Sequence, residues 1–196
     1  ASVANVARAA GVSVGVIYKY FGDKQSLFLA CVRHSLELLD ATLREAVPEG
    51  ADAETSIRAL VPALIAAARQ HGNYNVLYNE ITSGSCREFA PELAREIESR
   101  TAQLYTRLFE TAKEAGALAP GLAPEAAAFF FDNLLMMLQF SYSCDYYQHR
   151  MRLYCGENAD WNDEMMADQL TRFLLGAMRG DGSCNISLPT TSEPLA

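Results

Sequence analysis

The sequence predicts an all-α protein, with a small N-terminal helix-turn-helix module on a larger helical domain. Three observations carry that expectation. Alanine, leucine, glutamate and arginine recur at helical spacing, and alternating strand patterns are nearly absent. Glycines and prolines fall mostly between the periodic stretches. The 196-residue chain has a formal net charge of −8, yet residues 1–33 carry Arg8, Lys19, Lys24 and Arg33 against Asp23 alone, a net +3 that leaves −11 on the rest.

The first helix is expected from the N-cap Ser2 to about Ala10, ended by Gly11, which tolerates the left-handed conformation of a helix C-terminus. A second short helix starts at Ser13 and stops at Gly22. Asp23 caps a third, Lys24 to about Ala46, with Leu27, Phe28, Cys31 and Leu38 facing inward. Pro48 to Asp52 is a break. A fourth helix runs from about Ala53 to Gln70, kinked at Pro62, and a fifth from about Tyr74 to Thr82. The loop Ser83 to Phe89 follows, and Pro91 suits the first turn of a long helix reaching Ala115 and closed by Gly116. Pro124 begins another long helix, reaching Tyr154 before Gly156, and Trp161 to Met178 is the last. Three regions result: 1–46, 47–179 and a frayed tail, 180–196.

Composition narrows the function classes. Half the residues are hydrophobic, enough for a substantial core. The acidic total argues against coating nucleic acid by bulk charge. The five cysteines, Cys31, Cys86, Cys144, Cys155 and Cys184, are odd in number and irregular in spacing, which suits reduced thiols in a cytoplasmic protein. No signal peptide is expected. The most apolar stretch, Ala126 to Phe140, is interrupted by Asp132, Asn133 and Gln139 and is no bilayer span, so no membrane partner is expected.

The most informative stretch is AAGVSVGVIYKYF, residues 9–21. At about 100° per residue, Val16, Ile17, Tyr20 and Phe21 fall on one face of its helix and Val14, Gly15, Tyr18 and Lys19 on the other. The apolar set can dock on the preceding helix while Tyr18 and Lys19 point outward. The outward face starts small, which permits close approach to a groove, and ends in two donors that reach phosphates or base edges. Ser2, Ser13 and Lys24 stand at helix starts, where backbone N–H groups favour phosphate. The same spacing is also compatible with a short surface helix of a bundle, Tyr18 being incidentally exposed.

The run VANVARAAGVSVGVIYKYFGDKQSLF closely resembles the DNA-binding module of TetR-type bacterial transcriptional regulators, through Ala10, Gly11, Val12, Ser13, Gly15, Ile17, Tyr18, Phe21 and Lys24. The resemblance is specific over about residues 2–30 and beyond that is one of architecture. It implies that Tyr18 and Lys24 bind backbone phosphates, that Ser2 and Ser13 add contacts, and that Val14, Gly15 and Lys19 face the major groove of a double-stranded operator. The family has a further helix ahead of the one starting at Ser2, and this sequence starts too late to contain it.

No residue set supports an enzyme. His34, His71 and His149 are scattered, and no nucleophile motif surrounds them. Cys144 and Cys155 are about 16 Å apart on a continuous helix, too far for one metal ion or a disulfide. No phosphate loop follows the Gly-Asp-Gly at 180–182. No cofactor is expected.

Ala126 to Phe140 has twelve hydrophobic residues in fifteen, so it needs cover on more than one side. A central core helix supplies one cover. The resemblance implies two more, because the last two long helices of the family pair with those of a second subunit, and the first of them also lines a ligand cavity. Tyr78, Tyr105, Phe130, Asn133, Met137 and Phe140 are the candidate pocket residues, together with Tyr74 and Met136. Leu135, Leu138, Met166, Leu170, Phe173 and Leu174 are the candidate homodimer residues, with Ala177 on the same stripe. The resulting expectation is a homodimeric regulator, a repressor in the family's common mode, released from a palindromic operator by a small apolar ligand. The acidic body favours a neutral or cationic ligand. The rival reading is a helical protein–protein interaction module without DNA binding.

Overall fold

The computed structural model describes residues 2–81, 90–156 and 162–179, and no strand forms among them. The helices are α1 (Val3–Ala9), α2 (Val14–Phe21), α3 (Lys24–Ala46), α4 (Ala53–Gln70), α5 (Gly72–Glu80), α6 (Ala90–Glu114), α7 (Pro124–Ser143), α8 (Asp145–Cys155) and α9 (Asp163–Arg179).

The N-terminal module is built from caps. The Ser2, Ser13 and Asp23 side chains accept from the backbone N–H of Asn5, Val16 and Ser26, at 3.2, 3.3 and 2.7 Å. That bond holds the Asp23 carboxyl below its ordinary range. Gly11, at φ 67°, makes the turn between α1 and α2. The N–H of Val12 reaches back to the Ala7 carbonyl at 3.0 Å and that of Gly11 to Arg8 at 3.2 Å, which satisfies the open end of α1. Val3, Ala7 and Ile17 form a small core, with Val6 and Leu27 packed against it.

In the larger domain α4 lies at the centre, touching α3, α5, α6, α7 and α9. Its Ile57, Leu60, Val61, Leu64 and Ile65 meet Phe109 of α6, Phe131 and Leu135 of α7, and Leu174, Leu175 and Met178 of α9. Burial of each such large side chain contributes about 1.5–3 kcal/mol. Arg69 at the end of α4 bonds Asp163 at 2.8 Å and lies over the Tyr142 ring at 4.4 Å, which ties α4, α7 and α9 together.

Several expectations change. Cys31 is exposed, because α3 has neighbours on only part of its circumference; Leu27, Phe28 and Leu38 are half-buried. α4 runs as one helix from Ala53 to Gln70 with the exposed Pro62 inside it. α5 starts at Gly72 rather than Tyr74. The single helix expected from Pro124 to Tyr154 is two, separated at the extended Cys144. Side chains there compete with the helix ladder. Gln148 Nε2 takes the Tyr142 carbonyl at 3.3 Å, and Ser143 Oγ donates to the Ala68 carbonyl at 3.3 Å and accepts from Asn75 Nδ2 at 2.9 Å. Gly72 allows this junction to close: a Cβ there would meet Ser143 Oγ at 3.3 Å. Thr82, the loop Ser83 to Phe89, Trp161 and the tail 180–196 lie outside the described residues.

Candidate functional site

On the N-terminal module, Ser2, Ser13, Val14, Gly15, Tyr18, Lys19 and Lys24 are all exposed, as an outward recognition face requires. Tyr18 is 45% and Val14 38% exposed. The Ser2 and Ser13 oxygens are engaged as caps, which leaves each hydroxyl proton available to donate. No acidic residue sits at the N-cap or in the first turn of α1 or α2, so no side-chain carboxylate there opposes an incoming phosphate, whereas at α3 the N-terminus is already capped by the Asp23 carboxylate.

The other face of α2 differs from the wheel. Only Ile17 is buried; Val16 and Phe21 are exposed, and Tyr20 is 77% exposed. With seven residues, α1 covers a single strip of α2.

In the larger domain a cavity of about 90 Å³ opens between α3, α5, α6 and α7. Of the expected pocket residues, Tyr78, Tyr105 and Phe140 line it, together with Tyr74 and Met136. Val32, Ser35, Leu36 and Leu39 bring α3 to its wall. Phe130 and Asn133 do not reach it. They border a separate apolar groove between α7 and α9, with Leu134, Phe173 and Ala177. Asn133 Nδ2 bonds the Phe129 carbonyl at 2.7 Å, one turn back in its own helix. Met137 lines neither space; its carbonyl accepts from Ser141 Oγ at 2.8 Å.

The pocket residues missed by the sequence reading are carboxyl groups. Glu98 of α6 and Asp132 of α7 both line the cavity. The Tyr78 hydroxyl donates to Glu98 Oε1. Burial, then the Glu98 bond and charge, push the Tyr78 phenol far up, and burial does the same to Tyr105. Burial, then Glu98, raise Asp132 to about 6. The sequence did hold a signal for Asp132: with Gln139 it makes two polar residues seven apart in an apolar helix, which share a face. Nothing local marks Glu98.

The expected dimer stripe is mostly internal. Leu135 and Leu174 are buried, and Leu138, Met166 and Leu170 pack half-buried against the same core. Phe173 is open, at 62% exposure, and Ala177 on the same stripe is exposed as well. Exposed Phe130, Leu134 and Phe173 line the α7–α9 groove, and Phe129 is exposed next to Phe130.

A capped helix-turn-helix carried by one long helix onto a helical body with a cavity defines a helix-turn-helix protein with a second, larger helical domain. The chain belongs to the TetR family of bacterial regulatory proteins. Residues 1–31 match the family profile described as bacterial regulatory proteins, tetR family. Over 135 residues it is 33% identical to the HTH-type transcriptional regulator BetI of Paraburkholderia phymatum, covering 68% of each chain. With the regulator of the same name from Paraburkholderia xenovorans it shares 34% identity over 108 residues, 55% of this chain and little more than half, 54%, of that one. In fold it is similar to the fatty acid degradation regulator FadR from Bacillus halodurans, at TM-score 0.71 and 20% identity, covering 91% of this chain and 89% of that one. No helix of the described residues is long and apolar enough to cross a membrane.

Proposed function

We propose that the chain is a homodimeric transcriptional regulator that binds a palindromic operator through α2 and releases it when a small, largely apolar molecule occupies the cavity. The observation that carries this reading is the course of α3. Its first turns pack on the DNA-binding module through Leu27, and its middle forms a cavity wall through Val32, Ser35, Leu36 and Leu39. One helix thus belongs to both sites, so a ligand that prefers one placement of α3 changes the placement of the head, and DNA weakens the ligand by the same factor. Tyr18 and Lys24 grip phosphates, Ser2 and Ser13 assist them, and Val14, Gly15 and Lys19 meet base edges. The groove between α7 and α9 pairs with its copy, and the resulting two-fold axis matches a palindromic site.

The test is selection from random duplex DNA by the wild-type chain, followed by affinity measurement at matched salt. Enrichment of a palindrome, with affinity lost in the Tyr18→Ala, Lys24→Ala double variant, is the expected result. Equal affinity of wild type and double variant for the selected duplex would overturn the reading.

A further inference from the structure

Among the described residues, nothing in the fold calls for glycine at position 15. Gly11 and Gly22 stand at φ 67° and 78°, where side chains are strained, but Gly15 does not have a positive φ. It lies in the first turn of α2, and within a helix glycine is less favourable than alanine. A Cβ placed on it would meet nothing closer than Ser13 Oγ at 3.8 Å, an ordinary contact. No neighbouring element presses on it, and the residue is exposed.

Its surroundings make it a notch. At about 100° per residue, Gly15 falls between Tyr18 and Lys19 on the wheel of α2, with Val14 on the Tyr18 side. All three neighbours are exposed, Val14 at 38%. The gap is the size of the missing Cβ, and it is apolar on the Gly15 and Val14 side. A glycine without a role in its own fold is expected where another molecule comes close to the backbone. On the major-groove edge of the four bases, only thymine carries an apolar group, its C5 methyl. We infer that the notch at Gly15, beside Val14, receives the 5-methyl group of one thymine in each operator half-site and so selects T·A at that base pair. The inference rests on the reading of α2 as the helix in the major groove. The competing occupant is a phosphate oxygen on the N–H groups left open at the start of α2, and it would read no base.

The test starts from the duplex selected by the full wild-type chain. One thymine position at a time is replaced by deoxyuridine in both half-sites, which removes the methyl group and keeps the pairing. At one position wild type should lose about sixteenfold in affinity, about fourfold for each buried methyl group. Gly15→Ala fills the notch. It should melt at a higher temperature than wild type, bind the thymine duplex at least about tenfold more weakly, and prefer thymine to uracil by less than about twofold. Val14→Ala, a truncation at an exposed site, should leave an intermediate preference. Three results would each overturn the inference: a selected duplex indifferent to uracil at every position, which leaves the reading of α2 intact; a Gly15→Ala or Val14→Ala chain that keeps the full thymine preference; or a Gly15→Ala chain that melts below wild type, since the fold would then require the glycine. Failure to select any duplex would sink the reading of α2 and this inference together.

Discussion

Replacing Asp132 by asparagine keeps the shape of the side chain and removes its charge, so stability measured against pH isolates what that charge costs the fold. Asp132 is raised to about 6 from its ordinary value of 3.8, first by burial and then by Glu98. The other titratable groups on the cavity wall are Tyr105 of α6 and Tyr74 and Tyr78 of α5; α3 contributes none. The folded state therefore holds the proton more tightly than the unfolded chain. Stability contributed by this proton is present in full below the unfolded value and is lost as pH rises through 6. A shift of about 2 units at 1.36 kcal/mol each bounds the effect near 3 kcal/mol, and screening at a half-buried site reduces it to roughly 1–2. Asp132→Asn should accordingly be more stable than wild type by about that amount at pH 7, and the gain should shrink as the solution is acidified from 7 toward 4. Urea denaturation at a series of pH values measures it. A gain independent of pH, or a loss at pH 7, would refute the reasoning, because either means that the Asp132 charge is not held at a cost.

Lys19→Ala should change the preferred operator sequence rather than weaken all sequences alike, at about 1–3 kcal/mol for the affected base pair, as measured by competition between duplexes. Phe130→Glu with Phe173→Glu should place charges in the α7–α9 groove and give monomers in sedimentation at micromolar concentration; an intact dimer would exclude that face. Met136→Trp should fill the cavity while leaving operator affinity at matched salt unchanged, and a large loss of affinity would show that the cavity wall also sets the placement of the head.

What the sequence made legible was local. Ser2, Ser13 and Asp23 each cap the helix that follows them through a bond three residues away, and Gly11 turns the chain by its own backbone freedom. Interactions of that range are written within a few letters. Tyr20 shows the limit, because a wheel sorts side chains into faces and leaves open which face another element covers. Cys144 shows it again: the break depends on Ser143 meeting Ala68 and Asn75, both about seventy positions away along the chain. The cavity depends on still more distant partners. Asp132 and Glu98 sit on different helices, and Phe130 and Asn133 were separated from the pocket by rotations within one helix that only its neighbours determine.

The uninterrupted character of α3 has a mechanical consequence. Its 23 residues contain neither glycine nor proline, so it transmits a tilt as a stiff rod. Leu36, on the cavity wall, is about 18 Å along the axis from Lys24, the first helical residue after the DNA-binding turn. A tilt of about 5° at Leu36 then moves Lys24 by about 1.6 Å at that rise. In the proposed homodimer, two heads tilting in opposite senses would alter their separation by about 3 Å, against half-sites about 34 Å apart on the duplex. A phosphate contact made at hydrogen-bond length does not survive a displacement of that size. On the proposed reading, a small ligand would need only to rotate one helix slightly, and the length of the rod would do the rest.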